Sequence, residues 1–594
     1  MAQDALTQNT PTGSNRSIIT GRLHISLAQS DYKAQLSNDN LHIHAADRII
    51  QSEDDTVIVA GHPYFKGLDT PTDQQLLERI TSPAFSPETL LGSFAVCHVQ
   101  RAQGLLTAYT DKFTTIPLYY CQERDRSELR ISNQLSDIQQ ETTLSNQSLY
   151  DYVYFHMIPA PNTLYKEYKK LSAATKLTVS AELNIAVSAY WVPLFNRKQK
   201  TSEAALSAQL RSAMRNSVQR CITPNTAAFL SGGLDSSTVA GMLSELETGQ
   251  SDAYSIGFSA EGYDEMAYAR ITAKRFGIKL HEYYVTPEDI VNALHKVIPA
   301  FDEPFGNSSA LPAYFCTKVA KDNNVTTMLA GDGGDELFAG NERYAKQSVF
   351  ELYQRIPSII RHSILEPVLE TGQFSNKYLS KAQSYIKQAK LGLPARLQTY
   401  NFLERDDIQG IFTREFLHGV NKQQPMALQQ DIYNRPDGAS MLNRMMYLDW
   451  QITLADNDLV KVNNACRLNK INVRYPMLDD ELLYLSLKVE DQLKLKGSQL
   501  RHFYKETFKN WLPDETINKS KHGFGLPFGV WMETYAPLRT LAYDSLSALK
   551  NRNIIQPTYI EKLIKDHKEG HAAYYGEMIW VLMSLEIWLN AHYD

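Results

Sequence analysis

The sequence predicts a protein with an α+β part followed by an α/β part that ends in a long helical stretch. Three observations lead to this prediction. Residues 18–195 contain short alternating apolar runs, which are typical of strands. From residue 202 onward, strand-like apolar runs alternate with helix-length segments, which indicates a parallel sheet. From about residue 344 the pattern is mostly helical, and the chain of 594 residues is too long for a single core.

The composition is typical of a globular protein, with 43% hydrophobic and 21% charged residues. The net charge of −6 offers no basic surface for nucleic acid. The five cysteines are scattered without zinc-binding spacing, which indicates reduced thiols in a cytoplasm. No apolar run reaches the roughly 18 residues of a membrane span. We therefore expect a cytoplasmic protein that binds neither nucleic acid nor a membrane.

The first part reads as a β-rich domain preceded by a tail. Residues 1–17 are polar and lack the basic start and apolar core of a signal peptide, so we expect a flexible tail. Strands are predicted at 56–60, 93–99 and 104–109. The polar segment 196–201 is predicted to be a linker, so that the first domain covers 18–195 and the second covers 202–594.

The second part begins with a predicted helix at 203–219 and a predicted strand at 227–230. The elements that follow are strands at 253–258, 280–284 and 326–330, and helices at 265–276 and 309–323. In open parallel sheets the ligand lies beyond the carboxyl ends of the strands. The segments after the first and the last of these strands are therefore candidates for a binding site.

The segment after the strand at 227–230 has the composition of a phosphate-binding turn. Gly232 and Gly233 accept positive φ and let a ligand approach the backbone closely. Three serines accompany them: Ser231, Ser236 and Ser237. Hydroxyls and free N–H groups at the start of a helix suit a phosphate, and Asp235 adds a carboxylate that suits Mg²⁺. No Lys follows the glycines, so the turn is not a P-loop; the alternative is an ordinary glycine turn capped by serines.

The second candidate segment is the loop at 331–340, which combines acidic residues with several glycines. This is more charge and flexibility than a connector requires. Asp335 is suited to hold a second face of the Mg²⁺ that Asp235 would bind. The alternative is a solvated acidic turn.

Together, the segments 231–237 and 331–340 resemble the synthetase domain of the asparagine synthetase B family, and the glycine turn resembles the PP-loop of ATP pyrophosphatases. Further segments are similar to motifs of that family: 302–305, 472–479 and 519–527. The resemblance implies an amino-terminal Ntn-hydrolase-like β-sandwich with helices. It also implies a carboxy-terminal PP-loop domain with a parallel sheet, of the adenine nucleotide α-hydrolase type, and a largely helical end.

The resemblance assigns roles to individual residues. The residues implied to bind ATP are Leu230, Ser231, Gly232, Gly233, Asp235, Ser236, Ser237, Ile256, Gly257 and Gly331. Asp235 and Asp335 would bind Mg²⁺. Lys521 would neutralise charge that develops on the phosphates, and the alternative is a solvated lysine. Asp332 stands where the family usually has Glu, which leaves open whether it acts as the catalytic base.

The amino-terminal half departs from the family pattern. Glutamine-dependent members use a Cys after the initiator Met as their nucleophile, whereas Ala2 is found here and the first Cys is Cys97, inside a predicted strand. The family's glutamine-binding N-G-E-I-Y-N segment corresponds to 60–65, which lacks the Asn and Glu residues. We therefore expect a degenerate glutaminase domain. The alternative is a different start, or processing that exposes Ser14 or Ser17.

The resemblance thus implies an ATP- and Mg²⁺-dependent ligase that releases AMP and pyrophosphate and forms an amide without hydrolysing glutamine. Its partners would be a small-molecule or peptide carboxylate and either ammonia or a substrate amine, and a homodimer is compatible with the family. Three alternatives stay open: a glutamine-dependent asparagine synthetase, a non-catalytic homologue acting as a binding module, and a PP-loop enzyme that modifies tRNA or transfers sulfur. The lack of a CxxC pair counts against the last of these.

Overall fold

The structure is a computed structural model that describes residues 22–27, 34–38, 41–122, 127–140, 143–195, 201–354, 356–357, 359, 361, 385–519 and 525–593. The predicted tail at 1–17, the linker residues 196–200 and Lys521 lie outside these ranges. Within the described ranges, every helix is too short or too polar to cross a membrane.

Two six-stranded sheets form the amino-terminal part. The strands are β1 (Arg22–Leu27), β2 (Ala34–Asn38), β3 (Leu41–Ala46), β4 (Arg48–Gln51), β5 (Asp55–Tyr64), β6 (Leu91–Gln100), β7 (Leu105–Thr110), β8 (Tyr119–Gln122), β9 (Glu128–Ser132), β10 (Tyr168–Lys170), β11 (Thr175–Val179) and β12 (Ile185–Ala189). The first sheet has the order β10-β8-β9-β1-β3-β2 and is mixed, because β1 pairs in parallel with β3 and β9. The second sheet, β12-β11-β7-β6-β5-β4, is antiparallel.

Apolar side chains of the two sheets meet in one core, which includes Leu23 and Ile25 of β1 and Ile58 of β5. The other face of the second sheet packs against α1 (Asp73–Ile80). A second helix, α2 (Asn146–Phe155), faces the carboxy-terminal part. The predicted α+β sandwich with helices is therefore confirmed.

Five parallel strands form the centre of the carboxy-terminal part, in the order β15-β14-β13-β16-β17. They are β13 (Thr226–Phe229), β14 (Asp252–Phe258), β15 (Lys279–Val285), β16 (Thr327–Leu329) and β17 (Asn472–Arg474). The sequence predicts the first four. It does not predict the edge strand β17, because a run of three residues carries no periodicity.

Helices surround this sheet and predominate in the described residues that follow it. The first are α3 (Glu203–Cys221), α4 (Leu234–Leu246), α5 (Met266–Phe276), α6 (Pro287–Val297), α7 (Ala310–Asp322), α8 (Gly334–Phe338) and α9 (Glu342–Gln354). Later come α10 (Phe402–Arg405), α11 (Ile408–Ile411), α12 (Arg414–Leu417), α13 (Gln424–Asn434), α14 (Met441–Asp449), α15 (Leu459–Leu468), α16 (Asp480–Ser486) and α17 (Asp491–Lys494). The last are α18 (His502–Phe508), α19 (Asp514–Asn518), α20 (Phe528–Thr534), α21 (Ala536–Leu549), α22 (Pro557–Glu569) and α23 (Ala572–Tyr593). A small hairpin, β18 (Leu495–Lys496) and β19 (Gln499–Leu500), precedes α18.

A wide helical turn joins α14 to α15. Residues Trp450–Asp458 form a π-helix, a rare conformation that often accompanies functional sites. Asp456 accepts a hydrogen bond from the backbone N of Ala160, in the amino-terminal part, at 2.8 Å. Asp458 lies 2.9 Å from Lys461 Nζ. The π-helix therefore contacts both parts of the protein.

Buried polar contacts fix the two parts against each other. Lys112 Nζ lies 2.8 Å from Asp480 Oδ1, and both side chains are buried. The Trp450 indole donates to the Lys112 carbonyl at 2.8 Å. Tyr152 of α2 donates its hydroxyl to the Val581 carbonyl, also at 2.8 Å. Because a buried charge is costly unless it is paired, separating the two parts would cost free energy, and these contacts therefore stabilise their relative position.

Candidate functional site

The glycine turn follows β13 directly and has little steric freedom. The backbone N of Leu230 still donates to the Tyr254 carbonyl at 2.9 Å, which prolongs the sheet by one residue. Gly232 has φ 70°, and a Cβ there would lie 2.5 Å from the backbone N of Ala269. Gly233 then precedes the first residue of α4. The sequence therefore needs glycine at 232, both for its backbone angle and for its contact with α5.

Hydroxyl groups inside the turn hold each other in place. Ser231 Oγ lies 3.0 Å from Ser236 Oγ, and the backbone N of Gly233 donates to Ser231 Oγ at 3.3 Å. The side chain of Ser237 lies elsewhere: it is fully buried, with its Oγ 3.0 Å from Thr272 Oγ1 of α5. Ser231 and Ser236 therefore form an ordered polar surface at the start of α4, whereas Ser237 packs behind it.

The acidic loop lies against the glycine turn, because β16 is the neighbour of β13 in the sheet. A Cβ on Gly331 would lie 2.8 Å from the backbone N of Ser236. A Cβ on Gly334 would lie 2.2 Å from Asp235 Oδ1, and one on Gly340 would lie 1.6 Å from Asp335 Oδ1. These glycines leave the space that the two carboxylates occupy. The structure thus brings together Asp235 and Asp335, which are far apart in the chain.

Arg501 joins the two carboxylates. Its Nη1 and Nη2 each lie 2.5 Å from a carboxylate oxygen of Asp235, and Nη1 lies 3.1 Å from Asp335 Oδ1. The guanidinium also lies over the ring of Tyr504, 4.3 Å from its centre. Sequence reasoning missed Arg501, because a single arginine before a short helix carries no motif that distinguishes it from a solvated one.

A cavity of about 760 Å³ opens above the turn and the acidic loop. The predicted site residues that line it are Leu230, Ser231, Gly233, Asp235, Ser236, Ile256, Gly331, Asp332 and Asp335. The volume of the cavity falls within the usual range for small-molecule sites, and both polar and apolar residues line it. Gly232, Ser237 and Gly257 do not line it; a Cβ on Gly257 would instead meet the ring of Tyr284 at 2.7 Å.

The two carboxylates suit a magnesium ion that is shared with a phosphate ligand. Carboxylate oxygens are the ligands that Mg²⁺ prefers, and Mg²⁺ in nucleotide sites is usually held by one or two carboxylates together with phosphates. Within the ranges that the structure describes, no group of three or more His, Cys, Asp or Glu side chains could hold a metal alone. Asp235 and Asp335 therefore fit a metal whose remaining ligands come from a nucleotide and from water.

An acidic wall lies beside the two carboxylates. Burial raises the pKa of Asp332 to about 6; the Asp458 carboxylate adds to this effect, and Lys461 opposes it. Burial and the Asp335 carboxylate raise the pKa of Glu336 well above its usual range. Asp458 and Lys461 come from the π-helix and α15, which the sequence does not connect with the acidic loop. A carboxylate with a pKa near 6 can accept a proton close to neutral pH.

The sequence profile of the asparagine synthase family matches residues 209–590, which is more than half of the chain. The chain belongs to the asparagine synthase family. A profile of the glutamine amidotransferase domain matches residues 83–191. The resemblance inferred from the motifs is therefore confirmed, and so is the fold class: a glutaminase-like sandwich joined to a synthetase domain with a parallel sheet and a helical end.

Relatives in the asparagine synthase family extend over much of the chain. Asparagine synthetase [glutamine-hydrolyzing] 1 of Bacillus subtilis is 26% identical over 84% of this chain and 77% of its own length. A putative asparagine synthetase [glutamine-hydrolyzing] of Mycobacterium tuberculosis is 21% identical over 75% of this chain and 68% of its own length. A second putative enzyme of this kind from Methanocaldococcus jannaschii is 30% identical over 49% of this chain and 58% of its own length. These relatives support an ATP-dependent carbon–nitrogen ligase.

In this member of the asparagine synthase family, residues 60–65, which the sequence analysis compares with the family's glutamine-binding segment, contact the carboxy-terminal part. His62 Nε2 accepts a hydrogen bond from Arg474 Nη2 at 2.9 Å. Burial, then Arg474 and Arg48, lower the pKa of His62 to about 3, so the ring is neutral and can accept. Tyr64 donates to Asp479 Oδ1 at 3.1 Å. The cavity left beside these groups is about 70 Å³, far below the usual size of a ligand site.

The cysteines offer no reactive thiolate near this pocket among the described residues. Cys97 is fully buried within β6, and burial raises the pKa of its thiol. Cys221 lines the small cavity, but burial raises the pKa of its thiol to about 12. A thiol with such a pKa is protonated at neutral pH and is a poor nucleophile.

Proposed function

We propose that the chain is an ATP-dependent amide ligase that forms AMP and pyrophosphate and takes its nitrogen from ammonia or a substrate amine. The proposal rests on one observation: the carboxylates of Asp235 and Asp335 both contact the guanidinium of Arg501, beside a glycine turn that has no P-loop lysine. A phosphate–metal site with this turn fits attack at the α-phosphate better than transfer of the γ-phosphate, for which P-loop enzymes use their lysine.

The proposed reaction has two steps. An oxygen of the substrate carboxylate attacks the α-phosphorus of ATP, the bond between the α-phosphorus and the bridging oxygen breaks, and pyrophosphate leaves. The nitrogen of ammonia or an amine then attacks the acyl carbon, AMP leaves, and the nitrogen gives up a proton. In this scheme Ser231, Ser236 and the N–H groups of the turn hold phosphate oxygens. The acyl carbon would lie between the glycine turn and the acidic side chains of Asp332, Glu336 and Asp458.

Charged residues would stabilise the reaction at defined places. Asp235 and Asp335 would hold Mg²⁺, which supplies electrostatic stabilisation of the phosphate charge. Asp332 would take the proton from the attacking nitrogen, because its pKa of about 6 makes it a stronger base than an ordinary aspartate. Lys521, assigned from the family motif, would neutralise negative charge on the leaving pyrophosphate.

The small size of the amino-terminal pocket supports the proposed nitrogen source. A glutaminase needs room for the glutamine side chain and a nucleophile beside it. Instead, Arg474 donates to His62 and Tyr64 donates to Asp479 at the edge of the pocket, and the remaining space is small. The alternative source, glutamine, would require these contacts to open.

Analysis of the products tests the proposal. The enzyme, Mg²⁺ and ATP are incubated with a panel of carboxylates and with ammonia, primary amines or glutamine, and nucleotide and phosphate products are identified by ³¹P NMR. We expect AMP and pyrophosphate with ammonia or an amine. ADP and inorganic phosphate would refute the proposal. Asp235→Asn should abolish the reaction, whereas Asp252→Asn, at the opposite end of a neighbouring strand, should not.

A glutamine-dependent asparagine synthetase is the second candidate. The amidotransferase profile at 83–191 and the glutamine-hydrolyzing names of the relatives favour it. Glutamate release from glutamine separates the two candidates. Release at rates near ordinary enzyme turnover, on the order of 1 s⁻¹ or more, would establish the second candidate and exclude the first.

A further inference from the structure

Arg501 lies where a metal ion would have to bind. The oxygens that it contacts are those of Asp235 and Asp335, the two carboxylates that the proposed function assigns to Mg²⁺. A guanidinium that binds a carboxylate through both of its oxygens leaves few lone pairs for another cation. A magnesium ion bound to the same oxygens would therefore compete with Arg501 for these carboxylates, most directly at Asp235, where the guanidinium contacts both oxygens.

The position of Arg501 is built into the fold. Its backbone is in the left-handed region, with φ 57° and ψ 32°, directly before α18. Its side chain is 5% exposed and rests on the ring of Tyr504. A non-glycine residue in this conformation costs free energy and persists only where its surroundings hold it there. The fold therefore holds the backbone of Arg501 at the cavity, so that its side chain alone would have to move to change partners.

A second cation lies in the first turn of α18. The backbone N of Lys505 donates to the Arg501 carbonyl at 2.9 Å, and both residues line the 760 Å³ cavity. Burial and then the positive charge of Arg501 lower the pKa of Lys505. Among the described residues, Lys505 has no carboxylate within ion-pair distance. A lysine that faces a second cation inside a cavity, without an acidic partner, suits a polyanionic ligand.

The charges explain how both cations can serve one ligand. Without ligand, Arg501 balances part of the charge on Asp235 and Asp335. If Mg²⁺ binds these carboxylates, the guanidinium would lose its partners and could turn to phosphate oxygens in the same cavity. Guanidinium groups bind phosphate as readily as carboxylate, through parallel N–H groups.

We propose that Arg501 exchanges partners: it holds Asp235 and Asp335 while the site is free of nucleotide, and with Lys505 it binds the pyrophosphate portion of ATP once Mg²⁺ takes the carboxylates. This inference rests on the proposed function for the identity of the metal site. Its consequence is positive coupling between the two ligands. Mg²⁺ alone meets a blocked site, and pyrophosphate alone meets an arginine that is already paired, so each should bind better in the presence of the other.

Ligand binding without turnover tests the exchange. Thermal unfolding is followed with Mg²⁺ alone, with inorganic pyrophosphate alone and with both, for the wild-type protein, Arg501→Ala and Lys505→Ala. We expect Arg501→Ala to lower the Mg²⁺ concentration needed for stabilisation at least tenfold, because the guanidinium no longer competes for the two carboxylates. The same variant should weaken binding of pyrophosphate with Mg²⁺ at least tenfold. Lys505→Ala should weaken pyrophosphate binding and leave the response to Mg²⁺ alone unchanged.

Arg552→Ala is the matched control, because Arg552 also makes a two-fold contact with one carboxylate, at 2.6 and 2.9 Å from Glu586, but far from the cavity. It should leave both responses as in the wild type. If Arg501→Ala does not fold, Arg501→Lys should show the same changes at smaller size, since one ammonium cannot span both carboxylates. An unchanged response to Mg²⁺, or an unchanged affinity for pyrophosphate, would overturn the inference. These readouts need no product, so they stand apart from the product analysis that decides the proposed function.

Discussion

The charge on Asp332 should set the lower pH limit of the amide-forming step. Its pKa of about 6, against an ordinary 3.8, corresponds to roughly 3 kcal/mol of differential stabilisation of the protonated form. If Asp332 must be ionised to accept a proton, the rate should rise through pH 6 and level off above it. At pH 5 the rate should be about tenfold below the plateau, whereas a base with an ordinary pKa would still be more than about nine-tenths active.

Two neighbouring charges allow this limit to be moved in opposite directions. Lys461→Met removes a positive charge that lowers the pKa of Asp332, so the rise should move to higher pH by about one unit, or 1.4 kcal/mol. Asp458→Asn removes a negative charge that raises it, so the rise should move to lower pH by a similar amount. Lys565→Met, an exposed residue of α22 that pairs with Glu569, should leave the profile unchanged.

The assay compares the complete reaction with its first half. Exchange of labelled pyrophosphate into ATP needs the carboxylate substrate but no amine, so it should lack the Asp332-dependent rise. Amide formation needs the base, so its rate should rise through pH 6. Protonation of the amine itself is the same for every variant and cannot cause a difference between them. The role of Asp332 would be refuted if the rise moved in the same direction in Lys461→Met and Asp458→Asn, or if the exchange reaction showed the same rise with pH.

Further predictions concern the turn, the interface and the lysine outside the described ranges. Gly232→Ala should destabilise the fold by about 2–4 kcal/mol in denaturant unfolding, because it adds a clash to an unfavourable φ, whereas Gly67→Ala, with φ 77° and open space around it, should cost only about 1 kcal/mol. Lys112→Met should cost about 3–5 kcal/mol, because it leaves the buried Asp480 carboxylate without its countercharge, and Lys112→Met/Asp480→Leu should recover part of that loss, since the Gly92 N–H then loses its acceptor. Lys521→Ala should lower kcat for pyrophosphate release about 10²–10³-fold while binding of ATP changes little, and equal rates would exclude its role.

The sheet was predictable because its strands have strong local patterns. β13, β14 and β15 are short strand-like segments that alternate with helix-length segments, and this alternation indicates a parallel arrangement. β17 joins the same sheet from the far end of the chain with only three residues. Pairing of that kind is decided by tertiary contacts, which no local pattern encodes.

The candidate site was predictable only where it follows a strand. Asp235 and Asp335 come after β13 and β16, which are neighbours, so their proximity follows from the order of the sheet. Arg501 and Lys461 come from helices whose position depends on packing, and neither lies in a recognisable motif. Ser237 shows the opposite case: it lies within the motif, yet the helical turn directs its hydroxyl toward Thr272 and away from the cavity.

The π-helix has a consequence for attempts to change what the enzyme accepts. Three successive residues of its last turn border three different cavities: Asp456 one of about 410 Å³ that both parts of the protein line, Asn457 one of about 390 Å³ that Arg343 also lines, and Asp458 the 760 Å³ cavity above the glycine turn. A substitution at one of these positions can therefore change the walls of more than one cavity. A library for directed evolution that varies one of them for a new substrate would also shift its two neighbours. Residues 456–458 should therefore be randomised together, and the variants should be screened for both folding and activity.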